Sequence, residues 1–267
     1  MVVNVVKATG QVEPFSEDKL RTSIRRAGIQ KNLQEETLAH VKEKLYENIP
    51  TSEIYHHITE YLVKSSEIKG AKYSLKQAIM DLGPTGYPFE DFISEILKQD
   101  GYTTQVRSVL TGKCVTHEID VIAQKNDRRI MIEAKFHNLA GTRTDVHVPL
   151  YTKSRFEDIK EKYNLDEAWI VTNTKVTADA LAYALCVNMK IISWSYPEIG
   201  SLRDLVDKFK LHPITILTTL SQGQKQQLLE NHIVLCKEVT PSVLDLLTDL
   251  TASKKNEILT QIKSLGD

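Results

Sequence analysis

Apolar and polar positions along this chain follow two different periods, and the changes of period divide it into three segments. The opening stretch, VVNVVKATGQVEPF, reads as a short hairpin turned at Thr9-Gly10, with Val12 to Phe15 extended. Ser16 followed by Glu17 and Asp18 is a favourable helix start, and Leu20, Ile24 and Ala27 then recur on one helical face. Further helices are predicted over about 35–48, 51–66 and 68–82. Pro50-Thr51-Ser52 separates the first two of these and caps the second. Gly83-Pro84-Thr85-Gly86 is the strongest breaker cluster in the chain and marks a boundary.

Beyond it the period alternates. A helix is predicted over 88–99, strands over 103–111, 118–123 and 129–136, a helix over 148–163, a strand over 168–172, a helix over 177–187 and a strand over 190–195. This order predicts an α/β domain around a mixed sheet. From Ser201 the helical period returns, with Leu202, Leu205, Val206 and Phe209 on one stripe. The expected architecture is a small, mostly helical domain with a β-hairpin (1–86), a mixed-sheet α/β/α domain (87–200) and a helical C-terminal domain (201–267).

Composition narrows the class. The chain is 41% hydrophobic and 26% charged, enough for a real core and unlike a disordered chain. With 34 Lys and Arg against 35 Asp and Glu the net charge is −1, so any nucleic-acid contact must come from a local patch. Cys114, Cys186 and Cys236 lie far apart without zinc spacing and read as buried thiols in a reducing compartment. No apolar run approaches the ~18 residues of a membrane span, and MVVNVVKATG is too short and polar for a signal peptide. A cytoplasmic protein with no membrane partner is expected.

The candidate chemistry lies in HEIDVIAQKNDRRIMIEAKF, from His117 to Phe136. Read as a hairpin turned at Asn126-Asp127, it sets Asp120 and Glu133 nearly opposite each other, each about six residues from the turn. Glu133 and Lys135 share a strand face, while Ile130, Ile132 and Ala134 share the other. Two carboxylates so placed repel unless a cation compensates them. Mg²⁺ suits such a pair, and the Ala134 carbonyl can complete the set. Lys135 can then orient a water or stabilise charge developing on a phosphate. The alternative is an Asp120–Lys135 salt bridge across solvated strands with Glu133 exposed. His117, three residues before Asp120, projects to the opposite face of an ideal strand and reads as structural. Tyr151 and Arg155 lie at i and i+4 on one helix face. There Arg155 either holds a DNA phosphate or pairs with Asp158 or Glu161.

The segment from about Gly86 to Trp194 resembles the PD-(D/E)xK nucleases, and among them the Mrr-like restriction endonucleases, through GYPFEDFISEILKQDGY, HEIDVIA and IEAKF. The resemblance implies that Asp120 and Glu133 bind Mg²⁺ or Mn²⁺, that Lys135 assists the attacking water, and that Glu90 on the opening helix joins the site. The first segment resembles the ATP-cone through VVKATGQVEPFSEDKL, IPTSEIYHHI and AKYSLKQAI. It implies a regulatory purine nucleotide, ATP or dATP, held by Lys7 and Lys19 with Thr51 and Tyr55. A degenerate cone kept only for dimerisation is the alternative. No GxxxxGK[ST] is present, so sensing rather than hydrolysis is expected. QKQQLLENHIVLCKEV is loosely similar to half of a helix-hairpin-helix unit, with plain helical packing or dimerisation as the alternative.

Taken together these readings describe a Mg²⁺-dependent endonuclease on double-stranded DNA, regulated by nucleotide, of a restriction or defence type. Cutting both strands implies a homo-oligomer. The alternatives are a non-catalytic, nucleotide-responsive DNA-binding module and a repair nuclease on branched or damaged DNA.

Overall fold

A computed structural model describes residues 3–266; Val2, part of the opening hairpin reading, lies outside the described residues. The chain divides into two compact units, the first built on residues up to Gln77 and the second on Ala78 to Ile262.

In the first unit, β1 (Asn4–Val6) and β2 (Val12–Pro14) form the expected antiparallel hairpin, with Val5 opposite Glu13. Ser16 caps α1 (Glu17–Arg26) by accepting from the Lys19 N–H. Next, α2 spans Lys31–Glu43, earlier at both ends than its pattern predicts. Leu33 is buried in the core, which draws the helix start back. The chain must also leave the helix in time to form β3 (Ile49–Pro50), whose Ile49 pairs in parallel with Val5. Pro50, not Thr51 or Ser52, is the N-cap of α3 (Thr51–Ser65), and no side chain caps it. The division between units falls within α4 (Glu67–Met80).

The second unit is built on a five-stranded sheet. Its elements are α5 (Tyr87–Gln99), β4 (Thr103–Thr111), β5 (Thr116–Lys125), β6 (Arg128–Lys135), β7 (Arg143–Thr144), α6 (His147–Tyr163), β8 (Glu167–Thr172), β9 (Lys175–Val176), α7 (Ala178–Cys186) and β10 (Lys190–Ile192). The strand order is β10-β8-β6-β5-β4, antiparallel from β4 to β6 and parallel from β6 to β10, the mixed sheet that the pattern predicts. β7 and β9 form a separate two-stranded parallel ladder. The run Ile130-Met131-Ile132 is buried on both faces, as a central strand requires. Helical packing completes the unit with α8 (Leu202–Phe209), α9 (Gln222–Glu230), α10 (Pro241–Leu244) and α11 (Ala252–Gly266).

Two expectations are corrected. Cys236 alone is buried, its thiol pushed up to about 12 by desolvation; Cys114 and Cys186 are exposed. Cys114 lies in the loop between β4 and β5, and Cys186 is the last residue of α7. The last strand ends at Ile192, because Ser193 turns to bridge Tyr196. Among the described residues no helix is long and apolar enough to cross a membrane.

The central strand carries the load of the sheet. Ile132→Ala, at a position with no exposure, is expected to cost about 2–5 kcal/mol in chemical denaturation. A loss below about 1 kcal/mol would mean that β6 is not central.

Candidate functional site

Register builds the site. Asn126 takes the left-handed conformation (φ 54°) in the two-residue loop between β5 and β6, and Lys125 pairs with Arg128 across it. The ladder then runs to Val121 opposite Ile132, which sets Asp120 across from Glu133 one step beyond. On the other side of β5, the pairs Val106–Val121 and Ser108–Ile119 leave Arg107 facing Asp120. One row across the sheet therefore reads Arg107, Asp120, Glu133, with Ile170 of β8 beside Glu133.

The carboxylates are partly committed. Asp120 Oδ2 accepts the Ala134 N–H at 2.7 Å, fixing its rotamer against β6. Glu133 Oε2 accepts from the buried guanidinium of Arg155 on α6, which also donates to the Glu118 carbonyl. The second oxygen of each carboxylate is engaged by no described residue. Burial raises the proton affinity of Asp120 and the Glu133 charge raises it further, against the Ala134 N–H and Arg155. Glu90 of α5 is buried as well, and burial followed by the Asp120 charge pushes its carboxyl up to about 7. The α5 helix is pinned there by Phe89 against Phe136, ring centroids 5.5 Å apart.

Lys135 has no ion pair or side-chain hydrogen bond among the described residues, so the Asp120–Lys135 salt bridge is not formed. Arg155 is also not the surface residue its spacing suggests. It is buried and pairs with Glu133 rather than Asp158 or Glu161, which removes it from a surface DNA contact. Tyr151 remains 61% exposed, with the Arg155 guanidinium 5.2 Å from its ring centroid. His117 is structural: its ring meets Asp158 on α6 at 2.8 Å, one turn from Arg155 on the same helix.

Arg107 went unnoticed in the sequence. It adopts φ 50° inside β4, a conformation that strains a residue with a Cβ. Its guanidinium reaches Glu90 at 3.2 Å and Asp91 at 2.6 Å, and Asp91 meets His232, in the turn after α9, at 2.9 Å. No glycine or Asn marked that position.

The fit to a divalent cation rests on the donor set. Among the described residues no group of three or more His, Cys, Asp or Glu could hold a metal. Two facing carboxylates with one open oxygen each, and the Ala134 carbonyl as third donor, suit Mg²⁺ or Mn²⁺, ions that retain several waters.

In the first unit, a cavity of about 270 Å³ is lined by Lys19, Thr51 and Tyr55, together with Phe15, Ser16 and Tyr73. Tyr55 stacks on Tyr73 at 5.1 Å, and burial pushes the Tyr73 phenol up to about 12. Lys7 is not among the lining residues. It meets Lys19 on Glu13 instead, at 2.6 and 2.8 Å, and these two lysines, Lys19 foremost, hold the Glu13 carboxyl below its usual range. Glu13 and Tyr73 were not singled out in the sequence; three elements must meet before their roles show.

Three family models match successive stretches of the chain. The ATP cone domain family matches residues 3–77, a restriction endonuclease family of the Mrr catalytic type matches 84–202, and the family described as AF1548-like, C-terminal, matches 212–265. The chain is 35% identical over 175 residues to an uncharacterized protein of Archaeoglobus fulgidus, covering 65% of this chain and 99% of that protein. It is also similar to a solved structure described as the crystal structure of a protein of unknown function, AF1548. The TM-score is 0.60 at 33% identity, over 68% of this chain and 99% of that one.

A linkage test follows from the raised carboxyls. Their protonated forms contribute stability fully below the ordinary carboxylate range, and that contribution is lost as pH rises through about 7 for Glu90. A divalent cation competes with those protons. Mg²⁺ is therefore expected to raise the thermal midpoint more at about pH 8 than at about pH 6, and Asp120→Asn to erase the difference. Equal shifts at both pH values in wild type would contradict the site.

Proposed function

The chain belongs to the AF1548-like family, joining an ATP cone and an Mrr-type restriction-endonuclease domain to the AF1548-like C-terminal domain, and on that premise we propose that it is a divalent-metal-dependent endonuclease on double-stranded DNA, regulated by ATP or dATP. The observation that carries the reading is the row in which Asp120 faces Glu133 while Lys135, on the same strand, stays unpaired. A half-buried acid pair with an unneutralised lysine beside it is costly to folding and useful at a phosphodiester.

In this reading Asp120, Glu133 and the Ala134 carbonyl hold the cation. The cation, when bound, supplies the positive charge that a scissile phosphate needs as charge builds on its oxygens. Asp120 is kept in place by the Ala134 N–H, and Arg155 fixes Glu133 through one oxygen so that the other faces the site. The Lys135 ammonium orients the water that attacks phosphorus and stabilises the developing oxyanion. Glu90, its proton affinity raised by burial and by the Asp120 charge, is close enough to Asp120 to join the site once a cation lowers that affinity. Two active sites are needed to cut both strands, which supports a homo-oligomer, and a role in defence against foreign DNA goes with the Mrr resemblance. A second reading, a non-catalytic nucleotide-responsive DNA-binding module, is favoured by one contact: Arg155 already neutralises Glu133 without a metal.

In the cone, Lys7 and Lys19 are the phosphate ligands, with Glu13 standing where phosphate oxygens would lie; Thr51 and the Tyr55–Tyr73 stack form the rest of the site. Nucleotide must displace Glu13 from the two lysines.

Plasmid DNA incubated with Mg²⁺, with and without ATP and dATP, tests the first reading against the second. Cutting by wild type, lost at least ~100-fold in Glu133→Ala and Lys135→Ala, is expected from the loss of electrostatic stabilisation. DNA binding without cutting under every condition would favour the module. For the cone, Lys19→Ala is expected to weaken ATP binding by about 10-fold in calorimetry, as one charge-assisted hydrogen bond is lost. An unchanged Kd would remove Lys19 from the site.

A further inference from the structure

The small β7–β9 ladder does something that its size does not explain. Its register sets Arg143 beside Lys175 and Thr144 beside Val176. Both cations are exposed, on the outer face, and among the described residues neither has an ion pair or side-chain hydrogen bond. Like charges side by side on neighbouring strands repel. A ladder of two residues per strand has little backbone bonding to offset that.

What holds the ladder lies beneath it. Thr144 is buried, donates to Thr172 at 3.1 Å, and meets the His137 ring at 3.1 Å. Thr172 is the register neighbour of Lys135 across β6 and β8. The buried Asn173 side chain accepts from the His137 N–H at 2.9 Å and donates to the His137 carbonyl at 2.7 Å, clasping the chain just past Lys135. The Thr177 N–H donates to the Thr144 carbonyl at 3.0 Å, closing the other side. The nearby acid, Asp145, is occupied: its Oδ1 accepts the His147 N–H at 3.0 Å and lies 3.3 Å from the His147 ring. A hydrogen-bonded polar row thus ties the ladder that carries these two cations to the end of β8 and to the segment just past Lys135.

We infer that Arg143 and Lys175 form a clamp for backbone phosphates of duplex DNA, holding the strand so that its scissile bond lies over the Asp120–Glu133–Lys135 row. The clamp rests on the nuclease reading. Arg143 brings a fork of N–H donors that matches two phosphate oxygens, and Lys175 brings a compact charge beside it. Contacts of this kind position a duplex without reading its sequence. Tyr151, exposed one turn into α6, lies on the helix that follows β7.

The test is fluorescence anisotropy of the full chain with a labelled DNA duplex, Ca²⁺ replacing Mg²⁺, over a range of salt concentrations. Each phosphate contact contributes about 0.9 to the slope of log K against log salt. Arg143→Gln combined with Lys175→Gln is expected to flatten the slope by about 2 and to weaken low-salt binding at least ~10-fold. Arg143→Lys with Lys175→Arg, which keeps both charges, is expected to retain the wild-type slope. So is Arg128→Gln, which removes an exposed cation paired with Glu167 on β8. A wild-type slope in the double Gln variant, with plasmid cutting intact, overturns the clamp and leaves the nuclease reading standing. A slope flattened equally by Arg128→Gln also overturns it, because the effect would then be net charge alone. Wild type that neither binds nor cuts DNA overturns the clamp together with the nuclease reading.

Discussion

The antiparallel pairing of β5 with β6 is the constraint on which the rest of the second unit depends. A two-residue loop at Asn126-Asp127 fixes the register, and the register opposes two carboxylates in a largely buried part of the sheet. A slip of one residue would turn Glu133 onto the face away from Asp120, so the register and the acid pair are specified together. The surrounding charges follow from that pair. Arg155 on α6 and the Ala134 N–H each take one carboxylate oxygen, and burial, followed by the Asp120 charge, raises the proton affinity of Glu90 on α5. Folding tolerates this concentration of charge only with compensating partners, here Arg155 and the Ala134 N–H.

The same economy operates in the cone. There the hairpin puts Glu13 on β2 within reach of Lys7 and Lys19, so the anion that neutralises the two lysines belongs to the protein itself. Both units thus keep the charged groups of their proposed sites paired internally: Arg155 on Glu133, and Glu13 on Lys7 and Lys19. Ligands of the opposite charge must compete with these partners, which makes binding in each unit sensitive to ionic strength.

Much of the fold was legible because its signals are local. Alternation marked β4, β5, β6 and β8 nearly to the residue, Ser16 announced α1, and the short loop made the distance from the turn to Asp120 and Glu133 countable. What escaped was decided between elements. The partner of Arg155 depends on where α6 crosses β6, which no spacing within the helix reveals; a spacing of four suggested a surface face instead. Arg107 carries no Gly or Asn signal for its left-handed backbone, and its partners Glu90 and Asp91 lie on another element, α5. β7 and β9 are too short for a period, so Thr144 and Thr172 read as ordinary polar residues until the row between them closes. Cys114 and Cys186 were expected inside from residue type alone, and local packing put them outside.

The central claim is that Asp120 and Glu133 share a divalent cation. Anomalous scattering from crystals grown with Mn²⁺ addresses it directly. The account predicts one strong peak within coordination distance of both carboxylates and the Ala134 carbonyl, with Arg155 still on the far oxygen of Glu133. Full diffraction from Mn²⁺-saturated crystals with no peak at that position would contradict it.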